Sequence, residues 1–395
     1  MKTIELLKDL LIWNQQMRDV FEQAGEAWAE QLLVRGGEVY ATGDYGFWRE
    51  AVHRAGGLSM IRKLTPEVIL DEKDVVLAGF EYDDPTNPDR LELLKPVLHQ
   101  GTLVILIAEE GAESQLMEHT LRDDQIILIP SPNGLDGLFT EVGTGKRVGC
   151  LTGMANILNL WLVTAAFVDA CRRRSRMPNV LVSITHPRGM SWNGQCFKSR
   201  FWQEGVVDKP AHPLELWDQL SELFLKNIGF ISNEHIEKAA HVINDVRNSG
   251  RYINETVAGH WAMNLPHNQF TPESFLTANS LSSGDLQILL DYNYYPDTVV
   301  EPLLSQGVKV ILQIAKENPY PQKDFCDAAP SSQGIVLPGY GQIPHHENLF
   351  LIPTQWPVFD ACLSITDYPY PLIPLSWAGH GATHWALVES FATKP

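Results

Sequence analysis

Basic residues are scarce in this sequence, cysteines are few and scattered, and no apolar run is long and clean enough to read as a membrane span. Lys plus Arg number 30 against 48 Asp plus Glu, a formal charge of −18. The long-range field therefore repels polyanions and speaks against nucleic acid or an anionic membrane as partners. Cys150, Cys171, Cys196, Cys326 and Cys362 are odd in number and form no CxxC or metal-ligand spacing. They are expected to be reduced, mostly buried thiols of a cytoplasmic protein. The longest apolar stretch, "ILNLWLVTAAFVDAC" before "RRRSR", is interrupted by Asn159 and Asp169. It falls short of the ~20 residues of a span and predicts a buried core helix. The opening "MKTIELLKDLLIWNQQMRDVFEQAGEAWAEQLL" carries Glu5, Lys8 and Asp9 inside its apolar run and has no small-residue cleavage site. It predicts an amphipathic helix rather than an export signal. "EVGTGKRVGCLTG" lacks the GxxxxGK[ST] spacing of a phosphate loop, and no motif calls for a cofactor.

What is present is a packed, two-domain composition: 395 residues, 44% hydrophobic and 20% charged. The same order of elements runs through the chain twice. A helix leads to "GGEVYATGDYGFW" in the first half, and "EHIEKAAHVINDVRNSG" leads to "GRYINETVAGHW" in the second, aligning Gly46 and Trp48 with Gly259 and Trp261. "DVVLAGFEYDDP" then matches "DLQILLDYNYYP" without a gap from Asp74 to Pro85 and Asp285 to Pro296. "GTLVILIA" matches "GVKVILQIA", and the last helices share Trp161 and Phe167 with Trp385 and Phe391. Five matches in one order favour duplication over chance likeness of two α/β units. Short apolar strands alternating with helices predict α/β domains with parallel sheets covered on both faces, with ligands beyond the carboxyl ends of the strands. The expected domains are residues 1–210, with the N-terminal helix and a Pro- and Trp-rich tail, and 211–395.

At "YATGDYGFWREAVHRAGGL", residues 40 to 58, a strand runs into a glycine turn and a helix. Thr42, Gly43 and "RAGGL", then "VGCLTGMANILNLWLVTAAF" with Thr152, then "MPNVLVSITHPRG" with Asn193, together resemble the SIS (sugar isomerase) domain family over roughly residues 15 to 205. The second half resembles that family only through the first. The resemblance implies two αβα sandwiches, SIS-like and flavodoxin- or Rossmann-like, with parallel sheets that pair through helices. It also implies an aldose or ketose phosphate as ligand. In a tandem chain the halves can pair as an internal pseudo-dimer, with a homodimer as the further option.

The departures from the family pattern bear on chemistry. A GTGHS-like turn offers His and Ser, and this chain offers Asp44 and Tyr45. A SxSGxT-like loop holds phosphate through hydroxyls and N–H groups, and "FEYDDPTNPD" offers only Thr86 beside Glu81, Asp83 and Asp84. Like charges a few ångströms apart cost on the order of several kcal/mol in a partly buried site, so this loop is expected to repel a phosphate unless a cation intervenes. In the second half "DYNYYPDT" has no serine and "NETVAGHW" lacks the first glycine of the turn, which predicts a structural partner.

Thr42, Gly43, Asp44 and Tyr45 line a ligand site or cap the helix that follows. Asp83, Asp84, Thr86 and Asn87 accept sugar hydroxyls, bind a divalent cation as the lesser alternative, or simply form an exposed turn. Thr152 is a candidate ligand-binding residue at the head of the buried helix, where its hydroxyl most simply caps it. Lys146 and Arg147 are solvated surface cations or neutralise a ligand anion. His345 and His346, with His380 and His384 four apart, form the His-rich region, but without HExxH they fit an interaction surface better than a metal site, and no metal site is assigned. His186 is expected in a loop of the family-like tail. An isomerase needs a base, and Glu81 and Asp83 are the candidates, their pKa raised by mutual repulsion. The leading expectation is a cytoplasmic phosphosugar-binding protein or sugar-phosphate isomerase. The alternatives are a noncatalytic sensor or scaffold for carbohydrate derivatives, and a metal-assisted hydrolase or lyase.

Overall fold

A computed structural model describes residues 1–80, 90–122, 124–183, 186, 188–205, 207–257, 281–292, 296–315, 343–355 and 361–393. Two helices open the chain where the sequence predicts one. α1 (Lys2–Gln16) and α2 (Arg18–Leu33) part at Met17, whose φ of −104° and ψ of 17° leave the helical region. The break turns two stretches of one apolar pattern toward different partners.

The first sheet is parallel and comprises β1 (Val39–Gly43), β2 (Ile61–Lys63), β3 (Val75–Gly79), β4 (Leu103–Glu109) and β5 (Ile126–Ser131), in spatial order β2-β1-β3-β4-β5. α3 (Tyr45–Ala51) and α4 (Lys95–Leu98) lie in its crossovers. Every residue of β3 is buried, as helices on both faces of a parallel sheet require. An antiparallel hairpin, β6 (Asp136–Thr140) and β7 (Arg147–Cys150), precedes α5 (Thr152–Arg173). α6 (Gly189–Cys196) follows in the tail.

The second half repeats this order. α7 (Glu215–Gly229) and α8 (Asn233–Asn248) lead into a parallel sheet of β8 (Ile253–Val257), β9 (Leu286–Tyr292), β10 (Lys309–Ala315) and β11 (Leu349–Thr354). α9 (Asp297–Ser305) joins β9 to β10. Strands β8 to β11 are arranged as β1, β3, β4 and β5 are. A hairpin, β12 (Ala361–Leu363) and β13 (Leu372–Pro374), again precedes the last helix, α10 (Ser376–Thr393).

One detail recurs atom for atom. Asp74, just before β3, accepts the N–H groups of Glu38 at 2.8 Å and Asp71 at 3.0 Å. Asp285, just before β9, accepts those of Tyr252 at 3.0 Å and Ser282 at 2.8 Å. Each carboxylate thus ties the entry of one strand to the entry of its neighbour.

The halves exchange their leading helices. α1 packs on α10, and α7 packs on α5. Each final helix also sends a carboxylate to the first turn of the visiting helix: Glu389 accepts the N–H groups of Lys2 and Thr3, both at 2.8 Å, and Asp169 accepts that of Leu216 at 2.7 Å. Burial pushes the Asp169 carboxyl up to about 7, against the pull of the Leu216 amide and the Arg172 guanidinium 2.9 Å away. α2 crosses α5 so closely that a Cβ on Gly25 would lie 2.6 Å from the Ala166 backbone, and Trp28 stacks on Phe167 with centroids 4.0 Å apart.

α5 is the core helix that the sequence predicts. At 22 residues it is long and apolar enough to cross a membrane, but its whole apolar window is buried inside the protein. Cys150, Cys171 and Cys196 are buried and Cys362 is half-buried; Cys326 lies outside the described residues. Burial pushes the Cys196 thiol up to about 12 and that of Cys171 higher still, which keeps both protonated.

Burial alone would raise the Asp285 carboxyl, yet the N–H groups of Ser282 and Tyr252 and the Ser282 hydroxyl hold it below the model-peptide value of 3.8. A lowered pKa means that the folded state binds its proton less readily than the unfolded chain. Its contribution is therefore complete above about pH 4 and lost as pH falls through the folded value. In urea unfolding, Asp285→Asn is expected to be less stable than the wild type at neutral pH, with the gap narrowing below about pH 4.

Candidate functional site

The carboxyl edge of the first sheet is shaped by two glycines. β1 ends at Gly43, with φ +112°, and a Cβ there would lie 2.0 Å from the Gly79 carbonyl oxygen at the end of β3. The next N–H, of Asp44, donates to that same oxygen at 2.9 Å. Gly79 is in turn roofed by the ring of Phe47, which would stand 2.2 Å from an added Cβ. The turn after β1 and the chain leaving β3 are thereby pinned together.

Asp44 occupies the N-cap position of α3 and is 7% exposed, but its side chain makes no capping hydrogen bond. Position therefore agrees with the cap expectation, and bonding does not. Thr42 and Gly43 are half-buried. Tyr45 projects outward at 54% exposure, and its hydroxyl accepts from Arg49 Nη1 at 2.8 Å.

Behind this edge runs a buried relay of amides and a hydroxyl. Asn14 of α1 donates to Asn159 Oδ1 at 2.8 Å, Asn159 donates to Ser131 Oγ at 3.1 Å, and Ser131 donates to Asn156 Oδ1 at 3.0 Å. Asn156 Nδ2 donates to the Phe80 carbonyl at 2.9 Å. The chain leaving β3 is thus anchored to α5 and, through α5, to the exchanged helix α1. No sequence motif flagged this relay; polar residues inside the most apolar helix were the available signal.

Thr152 departs from expectation. The N-cap of α5 is Leu151, without a side-chain cap bond, and the Thr152 hydroxyl donates instead to Asp136 at 2.9 Å, tying the helix start to β6. "EVGTGKRVGC" is the turn and second strand of the hairpin β6–β7. Arg147 donates to the Gly137 carbonyl, and buried Glu141 pairs with Arg247 at 3.4 Å. Glu81, Asp83, Asp84, Thr86 and Asn87 lie outside the described residues.

The "RAGG" segment joins the halves. Gly56, with φ +80°, donates to the Leu181 carbonyl at 2.7 Å and accepts from Ile373 N–H at 2.8 Å, so tail and second half meet on it. Asn193 brackets Val182, accepting its N–H at 2.9 Å and donating to its carbonyl at 2.8 Å. His186 rests edge-on against Tyr370 at 5.2 Å, and burial lowers its pKa with help from nearby Arg188.

The histidines of α10 correct a sequence expectation. His380 and His384 do share one helix, but both are fully buried, so neither forms an interaction surface. His384 Nδ1 faces Glu255 Oε1 at 2.8 Å, and Gln313 donates to the Gly379 carbonyl at 3.0 Å and to Thr383 Oγ1 at 2.7 Å. Strand register equates Glu255 with Ala41, since these pair with Ile288 and Leu77, each three residues past the matched aspartates. His384 and Leu160 directly precede the matched tryptophans. The second half therefore holds an acid and an imidazole where the first holds an alanine and a leucine. Among the described residues no three His, Cys, Asp or Glu side chains gather as metal ligands.

No protein-family model and no curated protein matches the chain. Among solved structures it is similar to a protein of Salmonella typhimurium LT2 provisionally described as sugar binding, at 12% identity and a TM-score of 0.50, covering 100% of this chain and 99% of that one. The likeness is one of fold, α/β with parallel sheets. The C-terminal domain of glucosamine-fructose-6-phosphate aminotransferase from Francisella tularensis is fainter, at 9% identity and a TM-score of 0.43 over 95% of each chain.

Removing one partner of a buried hydrogen bond leaves the other polar group desolvated without that bond, whereas replacing both with apolar groups can be nearly neutral. Glu255→Ala and His384→Leu are each expected to cost about 1–3 kcal/mol in urea unfolding, and the double variant, which installs the first half's residues, much less. Gly43→Ala is expected to be severely destabilising through its Cβ contact and positive φ, seen as a lowered unfolding midpoint.

Proposed function

We propose that this chain is a carbohydrate-binding protein that holds a sugar or sugar phosphate at the carboxyl edge of its first sheet, around Thr42, Gly43, Asp44 and Tyr45. The observation that carries the reading is the pinned pair of chain segments after β1 and β3, held by the Gly43–Gly79 contact at the edge where parallel sheets receive ligands. The segment that begins at residue 81 supplies Asp83, Asp84, Thr86 and Asn87 as acceptors and donors for sugar hydroxyls. Sugar-phosphate isomerisation, with Glu81 or Asp83 as base, is the reaction this reading admits. The full-length likeness to a protein described as sugar binding supports the ligand class, and fold alone does not assign a reaction.

We also read the two halves, 1–210 and 211–395, as copies that pair inside one cytoplasmic chain. The matched aspartates, the shared strand order and the exchange of α1 and α7 support that reading. A noncatalytic binder is the second reading. It is favoured by Thr152, whose hydroxyl is taken up by Asp136 rather than offered to a ligand. The metal-assisted alternative loses its histidine pair to the core of the second half.

A ligand that binds only the folded state raises the melting temperature once it is well above its dissociation constant. In a thermal-shift screen of aldose and ketose phosphates, their parent sugars and divalent cations, at least one sugar or sugar phosphate is expected to raise the midpoint, and Thr42→Val to reduce that rise. Stabilisation by a divalent cation alone would overturn the reading.

A further inference from the structure

The sequence holds two Asn–Gly pairs, Asn133–Gly134 and Asn193–Gly194, and the structure treats them in opposite ways. Asparagine before glycine is open to attack by its own backbone, because no side chain shields the next peptide nitrogen. The attack needs that nitrogen outside any hydrogen-bonded ladder and the asparagine amide able to turn. Asn193 meets neither condition. Its amide accepts the Val182 N–H at 2.9 Å and donates to the Val182 carbonyl at 2.8 Å. Gly194 lies inside α6, where backbone N–H groups point along the helix axis. Asn133 meets both. It lies with Gly134 in the exposed turn between β5 and β6, and among the described residues neither its side chain nor the Gly134 N–H makes a hydrogen bond. Gly134 has φ +78°, and a Cβ added to it would meet nothing within 4 Å, so the space around the turn is open.

Both ends of this turn are fastened to α5. Ser131, the last residue of β5, donates to Asn156 Oδ1 and accepts from Asn159 Nδ2. On the other side Leu135 accepts the Leu151 N–H at 2.9 Å, and Asp136 accepts the Thr152 hydroxyl at 2.9 Å and its N–H at 3.4 Å. Pro132, Asn133 and Gly134 alone lie between these anchors. The length of backbone there therefore sets how strand, hairpin and helix head fit together.

We propose that Asn133 is a site of spontaneous modification, closing on the Gly134 nitrogen and reopening as aspartate or isoaspartate, and that the isoaspartyl form loosens the head of α5. In the first step the Gly134 nitrogen gives its proton to water or hydroxide and bonds to the side-chain carbonyl carbon of Asn133. The bond from that carbon to Nδ2 breaks, and the amide takes up a proton and leaves as ammonia. In the second step a water molecule adds to one carbonyl of the cyclic imide and breaks its bond to the nitrogen. Opening at the side-chain carbonyl gives aspartate. Opening at the backbone carbonyl gives isoaspartate, with the chain running through Cβ, one carbon longer, and the α-carboxylate released as a new charge. No oxidant or reductant is needed. The longer link no longer matches the spacing of the anchors. Ser131 is also held in the sheet by its pairing with Glu109, so the contacts at Leu151 and Thr152, at a helix end, give first.

The test is to hold the full chain at physiological temperature and mildly alkaline pH, then follow its tryptic peptides 123–146 and 189–198, each with one of the two pairs, by mass spectrometry. Isoaspartate is scored by labelling with an isoaspartate-specific carboxyl methyltransferase. Asn133 is expected to convert at least about tenfold faster than Asn193. Hydrogen exchange at the Leu151 and Thr152 amides is expected to quicken in step with the isoaspartate fraction. In Asn133→Gln, whose longer side chain closes this ring poorly, exchange is expected to keep its initial rate throughout. Freshly purified Asn133→Asp carries the charge without the added carbon and is expected to exchange as the unaged wild type does. Asn133 is exposed, so an unchanged unfolding midpoint shows that both variants fold. Conversion of Asn133 no faster than that of Asn193 would overturn the proposal. So would isoaspartate that leaves exchange at Leu151 and Thr152 unchanged.

Discussion

Helices α5 and α10 are apolar around almost their whole circumference, and a sheet can cover only one side of such a helix. Most of the architecture answers that requirement. α2 and α8 each cover a flank of the final helix of their own half, and α1 and α7 cross over to cover a flank of the other. Hydrophobic burial is roughly proportional to area and has no direction of its own. The carboxylates of Glu389 and Asp169 supply direction, because each meets the N–H groups at the start of one visiting helix.

The same helices connect the core to the sheet edges. In the first half, α5 carries Asn156 and Asn159, whose hydrogen bonds reach from α1 to the chain leaving β3. In the second half, α10 carries His380, Thr383 and His384 at the corresponding turns and meets Glu255 and Gln313. In the first half Asn156 anchors the chain leaving β3, and in the second Gln313 and Glu255 tie the sheet to α10.

Local signals carried the fold well. The strands "VVLAG" and "VILQIA", the glycine turn at 43 and the gapless match from Asp74 onto Asp285 were all legible, because each depends on neighbours in the sequence or on strand register. The split at Met17 was not, since α1 and α2 share one continuous apolar pattern and differ only in which distant helix covers them. Thr152 has the composition of a cap, and only the position of Asp136 shows where its hydroxyl goes. His384 resembled a surface residue because the residue that makes its burial tolerable, Glu255, lies 129 positions away.

The exchange of helices also has a consequence in time. Lys2 and Glu389 are 387 positions apart, yet one closes the first turn of the helix that the other covers. Synthesis proceeds at about 5–20 residues per second, so α1 waits on the order of tens of seconds before α10 leaves the ribosome. Helices α5 and α7 emerge earlier and meet α1, but throughout that interval the part of its apolar face that α10 covers has no native partner. A nascent chain of this design must be shielded by chaperones or by provisional contacts until its last helix arrives.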